Sequence, residues 1–267
     1  MTARLGIIGT GNMGGAMVQG LAARQDLELH GYDPDQACLE RLAGACGLRQ
    51  QPGPADLASE CDYVVLAVKP GLVPAVAAEI APALDKSKCL ISVAAGVRTK
   101  DLVFWSNQAC PVARVMPNTP ALVGRGVFAL CLEDENLSRE QAGFIQGIFQ
   151  DLGQVHLLPE KSFDSFTALI GSGPAYVYYF MESMVDAGVY MGLGRAQATE
   201  MVLELFAGSA HMAQQEGCHI TQLKEMVTSP GGTTIAGLGA LEKRAVKASV
   251  LEAVREAARR SRELGGE

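Results

Sequence analysis

The chain has 267 residues, 48% hydrophobic and 19% charged, with a formal net charge of −7. This length can bury a large core and suits two domains, and an acidic balance without long Lys/Arg runs argues against a nucleic-acid partner. No apolar run reaches membrane-spanning length, and seven irregularly spaced cysteines without a C-x-x-C read as buried free thiols of a reducing compartment, so the expected location is the cytoplasm.

Residues 4–9 read as a short strand rather than a signal peptide, and the strand ends in glycine. Gly9-Thr10-Gly11-Asn12-Met13-Gly14 then fits G-x-G-x-x-G, and 16–21 continues as an apolar-faced helix. Strand, glycine turn and helix are the context in which this motif holds a dinucleotide. The first glycine permits the turn, the second lets the backbone approach a pyrophosphate, and the third lets helix pack on strand. A second strand over 27–32 ends in Asp33. An acid there can bind the ribose hydroxyls and repel a 2′-phosphate; equally, Asp33-Pro34-Asp35 can open the next helix, 35–46.

A polar turn follows over 50–54, and 62–68 is an apolar run suited to a strand covered on both faces. It runs into Lys69-Pro70, where open α/β sheets bind ligands, although a solvated loop lysine reads the same way. A helix over 73–84, a strand over 89–93 with the small-residue exit Ala94-Ala95-Gly96, strands over 111–116 and 127–132, a helix over 138–151 capped by Ser138 and a strand over 155–158 complete the alternation. The expectation is an α/β Rossmann-type doubly wound, mostly parallel sheet over 1–160.

From 161 to 267 the pattern is all-helical. The stretch 162–193 is apolar on nearly all sides, with a kink or restart at Pro174, and is covered either by a partner subunit or by its own domain. Further helices are expected over 195–216 and 244–264, the latter with Val250, Leu251, Val254 and Ala258 inward. Between them lies Thr228-Ser229-Pro230-Gly231-Gly232-Thr233-Thr234. A helix start beside four hydroxyls suits a small anion such as a carboxylate, and an ordinary capped glycine turn fits the same spacing. The motif holds no acid, His or Cys, and no metal-ligand spacing occurs anywhere, so no metal is expected. A cofactor that does the chemistry fits this best.

Five blocks in order resemble the pyrroline-5-carboxylate reductase family over nearly the whole chain. They are Gly9–Gly14, Ala67-Val68-Lys69-Pro70, Val115-Met116-Pro117-Asn118-Thr119-Pro120-Ala121, Gly171-Ser172-Gly173-Pro174-Ala175-Tyr176 and the 228–234 block. The resemblance implies NADPH- or NADH-dependent reduction of 1-pyrroline-5-carboxylate, a cyclic imine carboxylate, to L-proline. It implies that Gly9 to Gly14 hold the pyrophosphate, and that Val68, Lys69, Pro70 and Ala95 lie beside ribose and nicotinamide. Ser229 and the N–H groups of Gly232, Thr233 and Thr234 would hold the substrate carboxylate, with the Thr234 hydroxyl on the ring nitrogen as the catalytic contact. The second domain would form a homodimer and, beyond that, a ring of dimers.

Three places depart from the pattern: Cys218-His219-Ile220 stands where relatives often carry Glu-His-Pro, Gln50-Gln51-Pro52-Gly53-Pro54 stands where many have an Asn in the turn before the third strand, and Tyr32-Asp33-Pro34 lacks the Ser or Arg of many bacterial members, which prefer NADPH. A β-hydroxyacid-type reductase would need a catalytic lysine, for which Lys161 and Lys224 are the candidates, and a nucleotide-binding regulator would need no such cluster of hydroxyls.

Overall fold

The computed structural model describes residues 2–215, 217 and 219–266. Cys218 lies outside them, as does Glu216 at the end of the helix expected over 195–216. The chain forms two compact units, one of Met1–Ser172 with Ala257–Glu267 and one of Gly173–Glu256.

In the first unit the described residues build a sheet of eight strands: β1 Ala3–Ile8, β2 Leu27–Tyr32, β3 Arg49–Gln50, β4 Tyr63–Leu66, β5 Cys89–Ser92, β6 Val112–Met116, β7 Gly126–Cys131 and β8 Gly153–Leu157. Their order is β3-β2-β1-β4-β5-β6-β7-β8. The first six are parallel, whereas β7 runs antiparallel to β6 and parallel to β8. The reversal has a simple cause. The link between β6 and β7 holds only a 3₁₀ turn, Thr119–Val123, too little chain for the crossover that a parallel pair requires.

Strand alternation divides the core. Leu5 and Ile7 of β1 face a cluster completed by α1 (Asn12–Leu21), α2 (Gln36–Cys46) and α6 (Arg139–Gln150), through Met17, Val18, Leu42, Ile145 and Phe149. Ile8 with Val64 and Leu66 faces the other side, covered by α3 (Pro54–Glu60), α4 (Val73–Ile80) and α5 (Thr99–Trp105) through Leu57, Ile80 and Leu102. All of these core residues are essentially inaccessible, the signature of a sheet sandwiched between helical layers.

Several expectations change here. The turn over 50–54 contains the two-residue β3, and Pro54 starts α3 rather than ending a loop, as suits a residue with no N–H to lose. Neither α3 nor α5 was expected. The stretch from 162 is not one helix: α7 (Phe163–Phe166) widens into a π-turn, Thr167–Gly171, closed by Ser172 N–H donating to the Thr167 carbonyl at 2.8 Å. The chain restarts as α8 (Gly173–Tyr190) with Pro174 in its first turn, which is the restart alternative.

The second unit is helical: α8, α9 (Arg195–Gln214), the unanticipated α10 (Ile220–Met226), α11 (Thr233–Lys243) and most of α12 (Val246–Leu264). Its buried apolar centre is Val185, Ala198 and Val202 between α8 and α9. Val250 and Leu251, expected to point inward, are 39% and 62% exposed among the described residues.

Candidate active site

The topology selects one edge of the sheet. The chain runs outward from β1 to β2 and β3, then returns to the other side of β1 as β4, so β1 and β4 flank the switch point where open α/β sheets bind ligands. Register makes the strand exits level, with Ile8 opposite Tyr32 and Leu66, and Leu66 opposite Ser92. Gly9, Asp33, Val68-Lys69-Pro70 and Ala95 therefore emerge along the same edge. Lys69 and Pro70 are exposed and lead into a 3₁₀ turn, Pro70–Leu72, while Val68 and Ala95 are half-buried.

Each glycine of the first loop has a distinct physical role. Gly9 has φ +93, and a Cβ on it would stand 2.8 Å from the Ala67 carbonyl oxygen. A Cβ on Gly14 would fall 1.9 Å from the Gly9 carbonyl oxygen, so α1 can cross β1 this closely only without a side chain. Around Gly11 a Cβ would meet nothing within 4 Å, which leaves open space over the backbone. Gly11 is also the N-cap of α1 and supplies no side-chain hydrogen bond. The N–H groups of Asn12, Met13 and Gly14 have no acceptor among the described residues. An open, donor-lined helix start of this kind fits a pyrophosphate.

Asp33 resolves differently from either sequence alternative alone. Its Oδ2 accepts from Thr10 N–H at 2.6 Å and from the Thr10 hydroxyl at 3.3 Å, while Oδ1 accepts from Asp35 N–H at 2.9 Å. Thr10 is fully buried. Asp33 is thus a brace for the glycine loop. The helix cap is Asp35, whose Oδ1 accepts from the N–H groups of Ala37 and Cys38.

The late motif lies in the helical unit. The Thr228 hydroxyl donates to the Lys224 carbonyl at 2.6 Å, closing the end of α10 and leaving the set of free hydroxyls. Gly231 takes φ +70, and Gly232 N–H donates to the Ser229 carbonyl at 3.1 Å, so that N–H is engaged within the turn rather than offered to a ligand. A Cβ on Gly232 would strike the Ser229 hydroxyl at 2.3 Å. Helix α11 begins at Thr233 with no side-chain cap. The hydroxyls of Ser229, Thr233 and Thr234 and the N–H groups of Thr233 and Thr234 have no partner among the described residues. His219, from the departing run, is the N-cap of α10.

Lys161 sits in a 3₁₀ turn, Glu160–Ser162, of the first unit, and Lys224 lies on α10. Burial pushes the thiols of Cys61 and Cys110 up to about 12 and that of Cys131 up to about 11, so these cysteines stay protonated and are poor nucleophiles. Asn118 was quoted only as part of a motif. The structure makes it an organiser: its Oδ1 accepts from Val127 N–H at 2.9 Å and its Nδ2 donates to the Ile170 carbonyl at 3.4 Å, joining the β6–β7 link to the π-turn.

Residues 160–264 match the family model for pyrroline-5-carboxylate reductase dimerisation, and residues 4–96 match that for coenzyme F420-dependent NADP oxidoreductases. The chain is 39% identical over 266 residues to pyrroline-5-carboxylate reductase of Pisum sativum, covering 97% of this chain and 95% of the relative. It is 34% identical to the enzyme of Escherichia coli, with 99% of both chains covered. Among solved structures, the NADP-bound pyrroline carboxylate reductase of Plasmodium falciparum is similar with a TM-score of 0.89 at 36% identity, covering 98% of each chain. That of Coxiella burnetii is similar with a TM-score of 0.91 at 31% identity, covering 99% of each.

Proposed function

The chain belongs to the pyrroline-5-carboxylate reductase family, and on that premise we propose which of its residues carry the reaction. The enzyme reduces 1-pyrroline-5-carboxylate to L-proline with NAD(P)H, the last step of proline biosynthesis, the cofactor supplying a hydride to the imine carbon. The donor-lined loop Gly9 to Gly14 holds the pyrophosphate, Asp33 keeps that loop in shape through Thr10, and Val68, Lys69, Pro70 and Ala95 lie beside ribose and nicotinamide. We assign nucleotide binding to 1–160 and substrate binding with dimerisation to 161–267. The assembly is a homodimer that associates further into a ring of dimers. The free thiols of the described cysteines support a cytoplasmic setting.

One observation carries the substrate assignment. At the turn and start of α11, three hydroxyls and two N–H groups are without partners among the described residues. The Ser229 hydroxyl and the N–H groups of Thr233 and Thr234 receive the carboxylate, whose charge the helix N-terminus favours. Gly232 contributes by letting the turn pass close to Ser229. The Thr234 hydroxyl hydrogen-bonds the ring nitrogen. An alcohol is too weak an acid to protonate an imine alone, so Thr234 orients the ring while solvent supplies the proton.

Thr234→Ala is expected to lower turnover of 1-pyrroline-5-carboxylate by about 10- to 100-fold, the cost of a hydrogen bond to a charged group. Its melting temperature stays at the wild-type value, because the lost hydroxyl has no partner among the described residues. Ser229→Ala is expected to act mainly on KM, raising it about tenfold. Steady-state kinetics with the cyclic imine reads both, and wild-type turnover in Thr234→Ala overturns the assignment.

A further inference from the structure

We propose that the turn Asp33-Pro34-Asp35 makes this enzyme prefer NADH over NADPH, with Asp35 as a specificity-determining residue beside Asp33. The inference rests on the reading of Gly9 to Gly14 as the dinucleotide loop. The turn adjoins that loop directly: Gly9 N–H donates to the Tyr32 carbonyl at 2.8 Å and Thr10 N–H to Asp33 Oδ2 at 2.6 Å. In this architecture the loop receives the pyrophosphate, and the exit of the second strand meets the attached ribose.

A 2′-phosphate at that exit would need donors or a cation, and helix α2 starts there. An uncapped start would be a ready anion site. Here Asp35 Oδ1 already accepts from Ala37 N–H at 3.1 Å and Cys38 N–H at 3.4 Å. One carboxylate thus engages the Ala37 and Cys38 donors, and its charge opposes that of a second anion at the helix end. Pro34 contributes no N–H. Residues 33–40 contain no Lys or Arg, Arg49 on neighbouring β3 is ion-paired to Glu28, and Gln36 is hydrogen-bonded to Gln50 at 3.0 Å. A doubly charged phosphate would therefore meet two carboxylates and a helix end already capped by one of them.

A ribose diol meets acceptors instead. A carboxylate offers about four lone-pair sites. Asp33 Oδ1 accepts one bond, and Asp35 caps through Oδ1 alone, so Asp33 Oδ1 and Asp35 Oδ2 both retain capacity for hydroxyl donors.

The two charges can be removed while the helix cap and the brace on Thr10 are kept. Asp35→Ser keeps a capping oxygen, Ser being as good an N-cap as Asp. Asp33→Asn keeps an acceptor for Thr10 and gives up the bond from Asp35 N–H, since an amide has one acceptor oxygen. Binding of NADH and of NADPH to the full-length enzyme, without substrate, is measured by titration calorimetry alongside kcat/KM for each with 1-pyrroline-5-carboxylate. Wild type is expected to bind NADH at least about tenfold more tightly than NADPH. Asp35→Ser is expected to shift the NADPH/NADH affinity ratio toward NADPH by about tenfold, and Asp33→Asn in the same direction. Wild type that binds NADPH as tightly as NADH, or an unchanged ratio in Asp35→Ser, overturns the proposal alone. Binding of neither nucleotide overturns it together with the dinucleotide reading beneath it.

Discussion

At the scale of single residues, the tightest requirement in the first unit is Gly14. The motif spacing indicated that a glycine was needed there, but not how strictly. With 1.9 Å between a would-be Cβ and the Gly9 carbonyl oxygen, the neighbour is backbone and cannot swing away. Gly14→Ala is therefore expected to cost more than about 3 kcal/mol, with a melting temperature lower by about 6–12 °C in a thermal unfolding scan. Gly11→Ala, whose Cβ enters open space, is expected to melt within about 1 °C of wild type and to lose nucleotide affinity instead. Asp33 marks the opposite limit of the sequence. Whether it is a ribose acid or a helix cap cannot be read from spacing, because what decides it is the register of Ile8 against Tyr32, a pairing between strands. Once that register is known, Asp33 must lie beside Thr10 and the cap must fall to Asp35.

At the scale of elements, what was legible is what carries a local signal. Ser138 announced α6 as its cap, and the structure adds Gln141 as the other half of a reciprocal capping box. Strands β1 and β4 were visible as apolar runs because both of their faces are covered. Helix α5 gave no such signal, since its N-cap Arg98 provides no side-chain capping bond. Its cap comes from far along the chain: Glu160 Oε1 accepts from Thr99 N–H at 2.7 Å and from the Thr99 hydroxyl at 3.0 Å. The same oxygen pairs with Arg114 at 3.0 Å, and the buried guanidinium lies 4.5 Å over the Phe163 ring. Burial alone would raise the Glu160 pKa, but hydrogen bonds from Thr99 and Arg114 outweigh it and the net shift is downward from 4.5. A carboxyl group with a depressed folded-state pKa contributes stability that is complete above its unfolded value and is lost as pH falls through the folded one. The wild-type melting temperature should thus decline below about pH 4.5. Glu160→Gln should flatten that decline and cost about 2 kcal/mol at pH 7, where it leaves Arg114 without its counter-charge. Melting curves across pH 3–7 read both effects, and parallel wild-type and mutant profiles would remove Glu160 from this role.

At the scale of the whole molecule, the two units differ in what they bury. The sheet unit has a closed core on each face, whereas among the described residues of Gly173–Glu256 the only buried hydrophobic side chains are Val185, Ala198 and Val202. Along α8 and α9, Tyr178 is 60% exposed, Tyr179 67%, Leu203 53% and Leu205 50%, far more contiguous apolar surface than a monomer keeps in water. The sequence signalled this as a helix apolar on too many sides, and of its two alternatives burial within the domain is the one the fold does not supply. The match of 160–264 to the pyrroline-5-carboxylate reductase dimerisation family points to a second copy of the chain as the partner. A segment with so small a core of its own should fold only with its partner, making stability inseparable from chain concentration. The melting temperature of the wild type should rise with protein concentration, as it would not for a self-sufficient monomer. Leu205→Glu places a charge on a side chain half-exposed within one chain, so it removes little from that chain's own packing while opposing burial against another. The expected outcome in sedimentation velocity is a monomer, with reduced helical circular dichroism and no turnover, since Ser229 and Thr234 lie in the segment that would lose its order. A Leu205→Glu protein that sediments as a dimer at full activity would exclude this face of α9 from the interface.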